Sequence, residues 1–500
     1  MRLKLSSTTA LAPLCIAASA FMNKAEAKNA KPNIIVILAD DLGYADIAPF
    51  GSTKNRTPQL DRMASEGMKL TSFYAAPVSS SSRGQLMTGC YATRVGLPGA
   101  YFPFEASGLN PKEHNVAKLL KLQGYTTMCI GKWHLGDQPA FLPTRNGFDD
   151  YFGLPYSNDM PMKPKGSQEL THPLMRGEKV VELVTMDGQD KLTERYTKEA
   201  VKFITANQSR PFFLFFSHTA VHWPIHPGAA FRGKSKNGIY GDWVEELDWS
   251  TSRVMDTLRK LGLAENTLVV FTSDNGPSAS FEELGGEATP LRGSKGTTWE
   301  GGVRVPTLAW WPGKIAPGSV CDATSGNIDL LPTCVKLAGG TVPADRKIDG
   351  KDITPLLFGQ TQQSPHEAWY YYSFGRKAKL EAVRVGTWKL VLETQKEKVS
   401  TGDGSRSVFA SPDNPRLYDL ATDIGEHNDI ATEHPEKVAE IKVMAAKMVA
   451  ELGNGIPGPA VRPDGHVDNP VALYPDDGEW IRIADEALRK RAEAKRSHVK

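Results

Sequence analysis

Cysteine is scarce in these 500 residues: there are five, at positions 15, 90, 129, 321 and 334. None stands in C-x-x-C spacing, which argues against a zinc site. An excess of one charge is also missing, since 59 Lys and Arg meet 57 Asp and Glu for a formal charge of +2. That surplus sits in the first 27 residues, where Arg2, Lys4 and Lys24 face Glu26. The remainder is neutral, so net charge implies no polyanion-binding field and no nucleic acid partner. Internal repeats are absent, and so is a long hydrophobic run. "LAPLCIAASAF", residues 11–21, is too short to anchor a chain across a bilayer.

That short run reads instead as the centre of a secretory signal, with a basic start before it and "AEA" at 25–27 as a small-x-small cleavage site. The competing reading is a disordered N-terminal tail. The expectation is therefore a protein without a membrane anchor, secreted or periplasmic, cleaved after about Ala27. Cleavage leaves Cys90, Cys129, Cys321 and Cys334. Export permits a disulfide without saying which pair forms it, and buried free thiols are the alternative.

What is present is ordinary for a soluble globular protein: 40% hydrophobic and 23% charged residues, with 45 Gly and 34 Pro that point to many loops. Short β-branched or aromatic runs predict buried strands at 33–38 (NIIVIL), 125–130 (YTTMCI), 212–217 (FFLFFS), 267–272 (TLVVFT) and 307–311 (TLAWW). Helical patterns lie between them at 58–67, 115–124, 192–207 and 242–262. This alternation predicts an α/β fold with a large, mostly parallel sheet sandwiched by helices. Near residue 365 the pattern changes to short antiparallel strands and one amphipathic helix, "HPEKVAEIKVMAAKMVAELG", a smaller C-terminal α+β subdomain expected to give structural support. The expected organisation is a signal over 1–27, a catalytic domain over 28–365, the antiparallel-sheet subdomain over 366–455, and a charged extension over 456–500.

Open parallel sheets bind ligands at the carboxyl ends of their strands. Asp40-Asp41 follow the first run, Lys132 and His134 the second, His218 and His222 the third, and Asp274-Asn275 the fourth. A single Asp after a strand is most often a cap or turn former. Two such pairs at two strand ends favour a hard divalent cation, Ca²⁺ or Mg²⁺. Arg83, Lys132, His134, His222 and Lys295 add positive charge and proton carriers, which suits an oxyanion substrate such as a sulfate or phosphate ester. The run "SSSSRGQLMTG" from Ser79 leads into a predicted helix. Its first residue then stands near a helix N-terminus, a fitting place for a nucleophile.

These residues resemble the formylglycine-dependent sulfatases of the alkaline phosphatase superfamily. The family signature is Cys or Ser, any residue, Pro or Ala, any residue, Arg; here it reads Ser79-Ser80-Ser81-Ser82-Arg83. A second signature resembles "GKWHLG" at 131–136. "PNIIVILADDLGYAD", "HTAVHWP", "TSDNGP" and "PLRGSKGTTWEGGVRVP" follow in order, so the likeness spans about residues 32–455. Two positions depart from the commoner pattern: Ser81 stands where Pro or Ala is usual, and Ser79 where most members carry Cys.

The resemblance implies an alkaline phosphatase-like fold and a sulfuric ester hydrolase. It implies that Ser79 is oxidised by a formylglycine-generating maturase to formylglycine (3-oxoalanine), whose hydrate has two hydroxyls. One attacks sulfur and displaces the alcohol; the other loses its proton and expels sulfate. Asp40, Asp41, Asp274 and Asn275, with residue 79, would hold Ca²⁺, or Mg²⁺. Arg83 and Lys132 would hold the modified side chain, and His134 would be the base that releases sulfate. His222 and Lys295 would bind sulfate and protonate the leaving oxygen, and Ser157 in "LPYSND" would add a hydrogen bond.

Two other readings remain at this point. A non-catalytic relative with Ser79 unoxidised would bind sulfated glycans without turnover, and a phosphoesterase of the same superfamily would need further His and Asp ligands for a second metal. The substrate is expected to be a sulfated carbohydrate or polysaccharide fragment, or an aryl sulfate, because "LPTRNGFDDYFGLPYSNDM" resembles the arylsulfatase A and galactosamine-sulfatase branch. Specificity is assigned to loops 97–112 and 156–191. Tyr101, Phe102, Trp223 and Trp243 are candidate faces for a sugar ring, with core or loop packing as their commoner use.

Overall fold

The computed structural model describes residues 31–97, 99–164, 166–398 and 405–473, together with 479, 480, 483, 486 and 490. The expected signal over 1–27 and most of the charged C-terminal end lie outside these residues.

Four of the expected apolar runs, with one short strand that the sequence pattern did not reveal, Asp150–Gly153, build the centre of the sheet. They are β1 (Asn33–Ala39), β2 (Thr126–Gly131), β3 (Asp150–Gly153), β4 (Phe212–Ser217) and β5 (Thr267–Ser273). In space they lie in the order β5-β1-β4-β2-β3, all parallel. The expected strand at 307–311 forms as β6 (Thr307–Trp310), but it runs antiparallel beside β5. Short strands that the sequence pattern did not reveal, including Met68–Leu70 and Ser319–Cys321 on one side and Thr171–Arg176 on the other, extend the sheet to twelve strands among the described residues.

Alternation along β1 divides the core. Ile34, Val36 and Leu38 enter one apolar cluster, with α2 (Ser79–Thr88), α3 (Val116–Leu122) and α6 (Leu330–Leu337). Ile35, Ile37 and Ala39 enter the other, with α1 (Pro58–Glu66), α4 (Leu192–Ala206) and α5 (Gly238–Lys260). A strand covered on both faces has no polar side to show, which is why these runs are apolar throughout. Helix α3 starts where Asn115 accepts the Lys118 N–H at 2.9 Å, an N-cap readable from sequence. Cys90, Cys129, Cys321 and Cys334 are all buried and free, so the thiol reading holds over the disulfide.

The C-terminal subdomain is a four-stranded antiparallel sheet, β7 (Trp369–Tyr372), β8 (Leu380–Val385), β9 (Trp388–Val391) and β10 (Arg416–Asp419), backed by α7 (Pro435–Leu452). Its apolar cluster also takes in Tyr74, Tyr91, Trp299, Val303 and Ile328 from the larger unit, so the two share a core. Part of the expected extension is stitched down. Gly465–His466 pairs with Ser107–Gly108, and Arg462 holds Glu113 at 2.8 Å.

Helix α5 buries three carboxyls that take no part in the site, Asp242, Glu246 and Asp248. Burial pushes Glu246 up to about 8, against the Gly228 N–H that its Oε2 accepts at 2.7 Å. Asp248 is likewise pushed up to about 7 by burial. An unfolded Glu releases its proton near pH 4.3, so between about 4 and 8 the folded state binds more protons and stability falls as pH rises. Glu246→Gln keeps an acceptor for Gly228 and removes the ionisation. Urea midpoints from pH 5 to 9 are expected to show a flatter decline, the variant gaining on the order of a few kcal/mol at pH 9 and little at pH 5.

Candidate active site

Register places the site. Ala39, Ser273, Ser217 and Gly131 end their strands side by side, with Ala39 paired to Ser273 and Ser217 to Gly131. The residues that follow, Asp40, Asp274, His218 and Lys132, therefore leave the sheet in one row. Gly131 permits this closeness: its φ is +96° and an added Cβ would lie 1.7 Å from the Ser217 carbonyl oxygen. The chain after β4 is tied to β1 by two backbone bonds, Asp40 N–H to the Ala220 carbonyl and Val221 N–H to the Asp40 carbonyl, both 2.8 Å.

Ser79 opens α2, as the serine run predicts, with Val78 extended at the N-cap. Every residue of this helix is buried, which the polar letters of "SSSSR" do not suggest. Each serine is occupied. Ser79 Oγ lies 3.4 Å from Asp40 Oδ1 and 3.5 Å from Asn275 Oδ1. Ser80 donates to the His134 carbonyl at 2.7 Å, and the Ser82 hydroxyl accepts from Asn327 at 2.8 Å. Helix α2 is thus fixed on three sides, with residue 79 at its free end.

Two buried cations, Arg83 and Lys132, and the half-buried Lys295 face three buried carboxylates. Arg83 donates to Asp274 Oδ2 through Nε at 3.2 Å and Nη2 at 3.0 Å, and to the Lys132 carbonyl at 3.0 Å. Lys132 Nζ reaches Asp40 Oδ2 at 2.5 Å and Ser157 Oγ at 3.1 Å. Lys295 Nζ lies 2.7 Å from Asp41 Oδ1 and 2.8 Å from its Oδ2. Burial would raise the Asp40 carboxyl, but Lys132, His222 and Arg83 together hold it below the usual carboxylate range. Ser217, absent from the sequence-level candidates, accepts from Arg83 and donates to the Lys132 carbonyl at 2.6 Å.

Burial disfavours the charged form of both candidate histidines. Burial first, then Lys132 and Arg83, drives His134 well below its ordinary value. Its Nε2 faces the Tyr101 carbonyl at 3.1 Å, which only an N–H can satisfy, so the lone pair belongs to Nδ1. That Nδ1 has no partner among the described residues. A neutral imidazole with an open lone pair is a proton acceptor. Burial and then Lys295 lower His222, whose Nε2 lies 3.7 Å from Asp41 Oδ2. Asp41 and His134 both take φ of 60°, the left-handed region that Asp and His tolerate better than most residues. His218 is not part of the site: it lies under α5, with Nε2 3.3 Å from Ser250 Oγ.

The donor set fits a hard cation. Asp40, Asp41 and His222 each bring one ligand atom within 4.8 Å of the others, all buried. Asn275 spends its Nδ2 on Asp41 Oδ1 and the Gly276 carbonyl, both 2.8 Å, which turns Oδ1 towards Ser79. Carboxylate and amide oxygens are the donors that Ca²⁺ and Mg²⁺ take.

Above this floor opens a cavity of about 770 Å³, onto which Ser79, His134, Ser157, His222 and Lys295 face. Both expected specificity loops line it, through Phe102 and Glu105 from one and Asp159 and Met160 from the other. Of the aromatic candidates, Phe102 lines the wall, Tyr101 and Trp243 are core, and Trp223 stacks on Phe281 at 4.6 Å. Phe374, Gly375 and Arg376 of the C-terminal subdomain complete the wall, a contribution that sequence reading missed.

Known proteins are similar to this chain over most of its length. The family described as "Sulfatase" matches residues 32–340, and "N-sulphoglucosamine sulphohydrolase, C-terminal" matches 294–453. N-acetylgalactosamine-6-sulfatase of Mus musculus is 39% identical over 410 residues, covering 78% of this chain and 77% of its own. Arylsulfatase A of Homo sapiens is 38% identical over 429 residues, 80% and 83% of the two chains. The crystal structure of PsFucS1 sulfatase from Pseudoalteromonas sp. superimposes with a TM-score of 0.77 at 29% identity, covering 87% of this chain and 93% of that one.

Proposed function

The chain belongs to the sulfatase family of sulfuric ester hydrolases, and from that premise we propose that it is an exported enzyme that cleaves sulfate esters of a carbohydrate with residue 79 oxidised to formylglycine. The observation that carries this reading is Ser79 itself. It is a buried side chain at a helix N-terminus, between Asp40 and Asn275, with one open side towards a cavity large enough for a sugar. The named substrate of the galactosamine-6-sulfatase relative supports an amino sugar or related glycan unit.

Oxidation gives residue 79 a hydrate with two hydroxyls, one to attack sulfur and one to let sulfate go. Asp40, Asp41, Asp274 and Asn275 would hold a divalent cation, Ca²⁺ or Mg²⁺, which would supply charge that favours the ionised hydroxyl and the sulfate oxygens. Arg83 keeps Asp274 in place and Lys132 keeps Asp40, each from a fully buried position. Lys295 and His222 line the sulfate end, where one of them gives its proton to the leaving alcohol. His134 Nδ1 accepts the proton of the second hydroxyl. Ser157 orients the Lys132 ammonium.

Protein purified from a host with the maturase is expected to release inorganic sulfate from 6-sulfated N-acetylgalactosamine. Its peptide containing residues 79–83 is expected to be lighter by two hydrogens. An unmodified serine in the native host, with no sulfate released, would replace the hydrolase reading by one of sulfated-glycan binding.

A further inference from the structure

We infer that Lys389 and Glu426, both in the C-terminal subdomain, are positioning residues for the reaction, because they clamp the segment that carries Lys295 and braces Asn275 and Ser79. The inference rests on the sulfate-ester reading of the site.

Lys389, on β9, is fully buried; its ammonium donates to the Thr298 carbonyl at 2.8 Å and to Glu300 Oε1 at 3.0 Å, and forms an ion pair with Glu426 Oε1 at 2.7 Å. Glu426 takes the other side of the same segment. Its Oε2 accepts the Glu300 N–H at 2.8 Å, and its carbonyl accepts Arg292 Nη1 at 2.6 Å. Glu300 is closed off by the hydroxyls of Tyr74 at 2.5 Å and Tyr371 at 3.1 Å. The stretch 292–300 is therefore held at both ends by groups of the C-terminal subdomain.

What lies between and just beyond those holds is the active site's back wall. Lys295 N–H donates to the Pro277 carbonyl at 3.0 Å, and Gly296 N–H to the Pro77 carbonyl at 2.8 Å, two residues before Ser79. Gly276 N–H, next to Asn275, donates to the Gly302 carbonyl at 2.9 Å. A shift of this segment moves the Lys295 ammonium, the Asn275 turn and the start of α2 together.

The charge pattern also favours a fixed geometry over added stability. Burial raises both carboxyls; Lys389, Arg304 and Arg384 together outweigh it at Glu300, which is held below the usual range, whereas at Glu426 burial outweighs Lys389 and the carboxyl is pushed up. Buried ionic groups of this kind contribute little net stability and leave a strong penalty when one partner is lost. A merely structural sheet would be served as well by apolar residues of similar volume.

The test compares Lys389→Met and Glu426→Gln with Ile441→Ala, a control that opens a hole in the core of the same subdomain. Each is matured, checked for oxidation of residue 79 by peptide mass, and assayed well below its unfolding midpoint. Wild-type turnover tests the sulfatase reading first and separately. Lys389→Met is expected to raise the KM for the ester and the inhibition constant of inorganic sulfate about tenfold, because Lys295 is misplaced, while residue 79 is still oxidised. Ile441→Ala is expected to lower the midpoint and leave both constants within about twofold. A folded Lys389→Met with unchanged constants overturns the proposal. If that variant does not fold, Glu426→Gln decides in the same way: a raised sulfate inhibition constant supports the clamp, and an unchanged one removes it.

Discussion

Protein in which residue 79 stays a serine is expected to turn over no more than once. Ser79 Oγ has the surroundings of a nucleophile, at the N-terminus of α2 and 3.4 Å from Asp40 Oδ1. Attack on sulfur would form a Ser–O–SO₃⁻ ester and release the alcohol. The serine Cβ then carries no second hydroxyl, so His134 has no proton to remove and sulfate has no route out. Mixing unmatured protein with ester should give at most one equivalent of alcohol, no inorganic sulfate, and a peptide containing residues 79–83 heavier by SO₃. Matured protein should release both products continuously, a steady-state difference of at least about 10⁴-fold. Ser79→Ala should show neither burst nor turnover. Sustained sulfate release by protein whose peptide carries unmodified serine would remove residue 79 as the nucleophile.

Which parts of this site could be read in the letters follows from how each part is built. Strands covered on both faces are continuous apolar runs, so β1, β2, β4 and β5 stand out, and the residues after them fall in one row because parallel strands end in register. Asp40, Lys132, His222 and Asp274 could be grouped from that alone. The cavity wall could not. Phe374 to Arg376 sit in a hairpin whose position depends on the shared core of Tyr74, Trp299 and Trp369, residues far apart in the chain. Segment 456–467 reads as a loose extension because it is rich in Pro and Gly, yet Arg462 reaches Glu113 and Val467 N–H reaches the Ala106 carbonyl. Lys389 was hidden for a different reason. In "GTWKLVLE" it sits at a polar position of an alternating strand, which reads as solvent-facing, and only the larger unit packed over that face buries it.

Removal of the divalent cation is expected to abolish turnover while leaving the fold assembled, and the reason is the charge balance of the inner site. Asp40, Asp41 and Asp274 face Arg83, Lys132 and Lys295, while burial disfavours the charged form of His134 and His222. Three negative charges against three positive ones leave no net charge to draw in an anion. A divalent cation on the oxygens of Asp40, Asp41, Asp274 and Asn275 would bring the sum to +2, which would complement a sulfate group. Asp41 pairs with the Lys295 ammonium at 2.7 Å, so removing the cation would leave no unpaired buried carboxylate there to open the core. Treatment with a chelator should lower kcat/KM by at least about 10³-fold and weaken inhibition by inorganic sulfate. The loss of stability should be no more than the linkage term, about 2.7 kcal/mol where the cation had stood at 100 times its Kd. Adding back Ca²⁺ should restore turnover, with Mg²⁺ restoring less because it accepts crowded oxygen donors less readily. Undiminished activity in protein that elemental analysis finds free of metal would show that the three cations alone bind the sulfate, and the oxygen cluster would then have to be explained as a structural feature.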